Sequence, residues 1–215
     1  IIIMLREPVA FLYSLHSQGL YSGNETETDF ETALSLEDSR RQGMNIPNTV
    51  HFPSRLFYSE HVHLREQIER YLQYFPREQV KIIVFDDFKA NTESVVCDVM
   101  DFLGIDSSQM PDLVNHNQNT AMRSQRLARL IQDPNHPITR VSKKMLPKRI
   151  WKQGKVLLKK INTDHSPRST LDEALKERLR MQVAPHVREL DAYLVQSGVL
   201  EQVGDLLRRW SYDSD

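Results

Sequence analysis

The chain of 215 residues has a single cysteine, Cys97, so no intrachain disulfide braces it and its stability rests on packing. A lone thiol on an apolar helix face predicts a buried small hydrophobe and suits a reducing compartment, so the expected location is cytoplasmic. Charge of one sign is also in short supply. The 28 Lys and Arg nearly balance 29 Asp and Glu for a net of −1, which removes whole-molecule steering toward polyanions and with it a nucleic-acid partner. No apolar run approaches the roughly 20 residues of a bilayer span, so no transmembrane segment is expected. Ile1-Ile2-Ile3 lacks the basic flank of a signal peptide. A Gly-rich phosphate loop is missing throughout, which argues against a kinase-like enzyme with a Walker motif. With 40% hydrophobic and 27% charged residues, the chain can bury a core as one domain or slightly more.

The richest segment is the first sixteen residues. The β-branched run Ile1-Ile2-Ile3-Met4-Leu5 closes on Arg6-Glu7-Pro8 and predicts a buried strand ending in a turn. Pro8 pre-sets a helical first turn, and Val9, Leu12 and Tyr13 then recur at helical spacing, placing Ser14 two turns on. Arg6 at the strand's carboxyl end offers a planar fork of donors suited to phosphate oxygens, and Ser14 offers one hydroxyl more. A surface ion pair for Arg6 and an ordinary helical serine account for the same residues without a ligand.

Further along, Tyr58 to Phe75 carries Ile68, Tyr71, Leu72 and Phe75 at amphipathic spacing, and Pro76 ends that helix. Val80 to Phe85 reads as a second buried strand stopped by Asp86-Asp87. Asn91 or Thr92 then caps a helix with the face Val95, Val96, Val99, Phe102 and Leu103, closed by Gly104. Asp29 to Arg41 predicts a short helix and Gly43 to Pro53 a loop.

This succession resembles that of sulfotransferases that use 3'-phosphoadenosine 5'-phosphosulfate (PAPS), in particular the bacterial type. In that family a strand runs into Arg-Asp/Glu-Pro-Val with a serine eight positions after the arginine, as in Arg6-Glu7-Pro8-Val9 and Ser14. A second strand ending in an aromatic-acidic pair precedes a helix ending in Phe-Leu-Gly, as in Phe85-Asp86-Asp87 and Phe102-Leu103-Gly104. The family usually has tyrosine where Phe85 stands, so any contact of that hydroxyl is absent. Leu171 to Glu173, the run Glu189 to Leu194 and Trp210 are similar to the family's ending.

The resemblance implies an α/β fold: a P-loop-like three-layer arrangement with a parallel sheet flanked by helices, truncated at its N-terminus, with a helix-rich C-terminal part. It implies a partial sulfotransferase domain over 1–215, with a strand/helix core at 1–105 and a mainly helical part at 106–215 that includes a basic helix at 143–160. The family's 5'-phosphosulfate loop and its catalytic base lie before the strand seen here, so the chain is expected to be a fragment holding half of the donor site. The implied activity is transfer of a sulfuryl group from PAPS to a hydroxyl or amine of a carbohydrate, lipid or small molecule. PAPS, its product PAP and an acceptor are the implied partners, with no metal. Arg6 and Ser14 are implied to hold the 3'-phosphate. In related sulfotransferases the segment after Phe-Leu-Gly returns basic residues to the nucleotide; Arg123 and Ser124 are the candidates, with Arg126 a weaker one. A helix with Leu127, Leu130 and Ile131 packed inward and its arginines solvated fits that segment as well.

Three other features compete for a role. His51, His61 and His63 lack a cysteine or carboxylate constellation and read as surface histidines before metal ligands. Asn24-Glu25-Thr26 is a glycosylation sequon by pattern. Ser142 to Lys160 holds eight basic residues and no acid, with Ile150, Trp151, Leu157, Leu158 and Ile161 between them, which predicts a basic amphipathic helix from about Pro147. That helix supports the alternative reading, a non-catalytic helical module for an anionic partner or a membrane surface. Thr170 to Glu173 has capping-box spacing, and Pro185 should kink or break the helix that follows.

Overall fold

The computed structural model describes residues 1–108, 110, 112–113, 121–122, 124, 127, 139, 145, 147–164 and 169–212. The chain divides into two compact units, one of Ile1–Phe11, Ser59–His116 and Glu173–Asp215, the other of Leu12–Tyr58 and Asn117–Asp172.

The first unit is built on two parallel strands, β1 (Ile2–Leu5) and β2 (Lys81–Val84), in the register Ile2↔Lys81 to Leu5↔Val84. Ile82, Ile83 and Val84 are all buried, as expected of an apolar run in a parallel pair, but β1, predicted as a buried strand, buries only Leu5 and leaves Ile2 and Met4 exposed. The second strand is shorter than the apolar run predicts. Phe85 is already the first residue of a helix, α5 (Phe85–Ala90), because Asp86 and Asp87 behind it favour a helix's first turn.

Helix α6 (Thr92–Leu103) starts where its side chains dictate: the Asn91 carboxamide oxygen accepts the Ser94 N–H at 3.1 Å. It ends at Gly104 with φ +68°, and the Ile105 N–H returns to the Met100 carbonyl. Cys97 on this helix is half-buried, not the fully buried hydrophobe its neighbours suggest. The Tyr58–Phe75 helix is also shorter than predicted. A 3-10 turn covers Tyr58–Val62 and α4 spans Leu64–Leu72, with Ile68 buried but Tyr71 and Phe75 exposed. Polar Gln73 and the turn before Pro76 carry Phe75 off the buried face.

The long helix α8 (Glu173–Gln196) buries Leu175, Leu179, Val183, Val187, Leu190 and Leu194, a stripe spaced by fours and threes, and α4 packs on it. It begins at Glu173, three residues after the Thr170 start that the capping-box spacing predicts. Pro185 does not break it. The carbonyl that loses its partner belongs to Met181, an exposed residue, so the orphaned acceptor stays within reach of solvent. A final helix, α9 (Asp205–Trp210), is tied to α8 by buried Asp191, whose carboxylate accepts the Gly204 and Leu206 N–H groups at 2.6 and 2.8 Å.

Helix α1 (Pro8–Ser22) starts in the first unit, and its residues from Leu12 onward belong to the second. There the core is a ring cluster of Tyr13, His16, Phe30 and Tyr58, with Phe30 centred 5.2 Å from His16 and 6.0 Å from Tyr58. Beside it Arg40 makes a bidentate pair with Glu25 at 2.8 and 2.9 Å, both side chains fully buried. The predicted helix at 29–41 is two: α2 (Phe30–Ser35), capped by Asp29 on the Thr32 N–H, and α3 (Glu37–Arg41). Gly19 of α1 lets the chain pass close, since a Cβ there would meet the Glu25 Cβ at 2.9 Å. The second unit also holds α7 (Lys148–Asn162) and a short antiparallel pair, β3 (Ala121–Met122) with β4 (Thr163–Asp164). Pro147 stands at the N-cap of α7, where the sequence starts the basic helix; the remainder of 143–160 before it includes residues outside those described.

Candidate functional site at the carboxyl ends of the parallel strands

In open α/β folds ligands bind in the crevice outside the carboxyl ends of the parallel strands. At that end β1 delivers Arg6-Glu7-Pro8 and β2 delivers Phe85-Asp86-Asp87. Arg6 is half-buried, with its guanidinium carbon 5.1 Å from the centre of the Phe85 ring. The position where a tyrosine was expected therefore supplies a face for the arginine.

Glu7 is used structurally. Its carboxylate accepts the Val9 N–H at 3.1 Å and the Ala10 N–H at 2.5 Å, so it caps α1, with Pro8 buried at the first helical position. The Tyr212 hydroxyl donates to the same carboxylate. Burial first, and then the charge of Glu7, push the Tyr212 hydroxyl well above its ordinary pKa, so it remains a donor. With the first N–H groups of α1 taken by Glu7, an anion at this end must be held by side chains.

The acidic pair after Phe85 is likewise engaged. Asp86 accepts the Trp210 indole N–H at 2.7 Å, and Asp87 pairs with Arg209 at 2.6 Å. These three anchors, on Glu7, Asp86 and Asp87, all come from the C-terminal residues 209–212. The closing tryptophan was the one signal for them in the sequence; Arg209 and Tyr212 gave none. A cleft of about 700 Å³ runs along β2 and is lined by Lys81 to Val84, Asp87, Asp98 and Arg208, but Arg6 does not line it.

Ser14 lies half-buried on α1, eight residues beyond Arg6 in one continuous strand-turn-helix segment. Arg123 and Arg126 lie outside the described residues. Ser124 is tied to buried Asn162 of α7 by a reciprocal pair of bonds, 2.8 Å from its N–H and 2.9 Å to its carbonyl, while its hydroxyl accepts the Leu127 N–H.

The histidines and the sequon have structural employment. His51 bonds to the Asn24 carboxamide through its backbone N–H and its ring, and His63 pairs with Glu66 and lies against the His186 ring, centres 4.4 Å apart and planes tilted by 58°. Among the described residues no three His, Cys, Asp or Glu side chains gather as a metal would require. Asn24 is buried with its amide donating to Ser22, so in the fold it serves packing and hydrogen bonding.

Comparison with known proteins bears on the family and the fold. The sequence matches the Sulfotransferase domain family over residues 1–190. A crystal structure of a sulfotransferase from Alicyclobacillus acidocaldarius superposes with a TM-score of 0.54 at 24% identity, covering 90% of this chain and 53% of that one. That likeness speaks to the fold, and the chain spans about half the length of the solved protein. No curated protein sequence matches. A parallel β1–β2 pair with Arg-Glu-Pro at its carboxyl end and a match across most of the sequence lead to one conclusion: the chain belongs to the sulfotransferase domain family.

Proposed function

We propose that this chain serves sulfuryl transfer from PAPS to a hydroxyl or amine of a carbohydrate, lipid or small molecule, and that it holds the 3'-phosphate of the donor through Arg6 and Ser14. The observation that carries the reading is Arg6 itself, a guanidinium at the carboxyl end of a parallel strand, set against the Phe85 ring and beside a helix start whose own donors are already used. Ser14 follows on that helix, and Arg123 and Ser124 are the further candidates for the nucleotide. The lone thiol and balanced charge favour a cytoplasmic setting.

In the reaction the acceptor oxygen or nitrogen forms a bond to sulfur as the bond from sulfur to the bridging phosphate oxygen breaks. The acceptor's proton passes to a general base, and PAP leaves with the electron pair. By analogy with phosphoryl transfer, the protein's part is positioning and charge stabilisation, and the 3'-phosphate is the handle for positioning the donor.

Calorimetric titration of PAP, with 5'-AMP as control, tests the assignment. PAP should bind more tightly than 5'-AMP, and Arg6→Ala should weaken PAP by about 1.5–3 kcal/mol, the scale of a charge-assisted hydrogen bond, while leaving 5'-AMP alone. Equal affinity for the two nucleotides, or unchanged PAP affinity in Arg6→Ala, would overturn it.

A further inference from the structure

Helix α7 presents an apolar stripe to the surface. Ile150, Leu157 and Ile161 recur at i, i+7 and i+11 on one side of the helix and are 53%, 58% and 58% exposed, with Leu158 beside them at 42%. A surface helix of a globular protein ordinarily turns such a stripe inward, since large aliphatic side chains are stabilised by leaving water. The helix is nevertheless fixed to its own unit at its carboxyl end, where buried Asn162 holds Ser124.

Its charge is as segregated as its hydrophobicity. Lysine recurs at 148, 152, 155, 159 and 160 in its sequence with Arg149 between them, and exposed Arg149 and Lys160 flank the stripe on one side. No acidic residue interrupts Lys148 to Asn162, although the whole chain has a net charge of −1.

This pairing of chemistries selects the occupant. A second copy meeting the stripe by two-fold symmetry would bring its own acid-free helix against this one, like charge against like. A soluble anion would answer the lysines and leave the aliphatic side chains in water. A bilayer with anionic headgroups answers both, taking the stripe into the acyl boundary while Lys and Arg stay at headgroup level. Among the described residues no helix is long and apolar enough to cross a membrane.

We propose that α7 is a membrane-surface anchor that lies in the plane of an anionic phospholipid bilayer, with Ile150, Leu157 and Ile161 inserted and its basic residues at the headgroups. The inference is independent of the donor-site reading.

Flotation of the whole chain with vesicles of phosphatidylcholine alone, or with about a third of phosphatidylglycerol, tests it. The chain should float with the anionic vesicles, remain behind with neutral ones and be released as salt rises. Leu157→Glu with Ile161→Glu, and separately Arg149→Glu with Lys160→Glu, should each lower the partition coefficient on the order of tenfold or more. All four residues are exposed, so circular dichroism should show both variants folded; if one is not, the other decides. No flotation of the parent chain, or flotation untouched by a folded variant, would overturn the proposal. So would a dimer in sedimentation velocity that Leu157→Glu with Ile161→Glu abolishes while vesicles go unbound, which would give the stripe to a second copy.

Discussion

Arg6 and Phe85 face each other one step beyond the last register pair of the sheet, Leu5↔Val84, with the guanidinium carbon 5.1 Å from the ring centre. Parallel pairing thus carries a cation and a ring to the same end of adjacent strands, and the ring restrains the arginine before any ligand arrives.

Removing that ring should loosen the arginine without removing its charge. Phe85→Leu is expected to weaken PAP binding by about 0.5–1 kcal/mol, the worth of a half-exposed cation–π contact, whereas Phe85→Tyr should bind as the parent does. Titration calorimetry on both variants reads the difference, and PAP affinity unaltered in Phe85→Leu would deny the ring this role.

The hydroxyl of Tyr212 completes the cap of α1 from 205 residues away. Tyr212→Phe keeps the ring and deletes only the donor to a carboxylate, so urea unfolding should show a loss of about 1.5–3 kcal/mol with an unchanged slope. A midpoint equal to the parent's would show that Glu7 caps the helix equally well alone.

Among the described residues of the second unit, Glu25 is the carboxylate with the most hydrogen bonds given to it. It accepts two bonds from Arg40, one from Tyr58 at 3.0 Å and the N–H groups of Thr26 and Glu27. Burial, and after it the Glu25 charge, hold the Tyr58 hydroxyl well above its ordinary pKa, so it keeps donating. Arg40→Met strands a buried carboxylate and should cost about 3–5 kcal/mol. Arg40→Met combined with Glu25→Gln should cost less than the sum of the single changes, and strict additivity in a double-mutant cycle would contradict the coupling.

His16 makes this unit sensitive to acid. Burial depresses its pKa below the ordinary 6.5, partly offset by its bond to the Glu27 carbonyl and by the Glu25 charge. Below pH about 6.5 the unfolded chain takes up a proton that the folded chain refuses. The stability His16 contributes is therefore complete above that pH and falls away as pH drops through the folded-state value. His16→Gln retains a donor for Glu27 and does not titrate. The parent's advantage over this variant in chemical unfolding should shrink between about pH 7.5 and 5, and parallel curves across that range would refute the effect.

What the sequence disclosed was whatever local chemistry determines. The β-branched run before Arg6, the cap at Asn91, the left-handed Gly104 and the Pro147 start of the basic helix all stand where residue type puts them. Some differences are local: the two aspartates after Phe85 drew it out of β2 into α5, and a solvent-facing carbonyl let α8 continue through Pro185. At the candidate site Arg6 was legible from Arg-Glu-Pro, but the use of Glu7, Asp86 and Asp87 was not. Their partners are Tyr212, Trp210 and Arg209, more than a hundred positions away, and no periodicity records such a pairing.

The bond from Tyr212 to Glu7 also orders events in time. A ribosome adding about 5–20 residues per second needs on the order of 10–40 s to make the residues between them. Throughout that interval β1 and the head of α1 exist without their last fastening, and closing so large a loop costs entropy that grows with the logarithm of its length. The start of α1 is therefore secured only once Tyr212, beyond α9, has been made, and until then β1, with Ile2 and Met4 exposed, lacks that fastening.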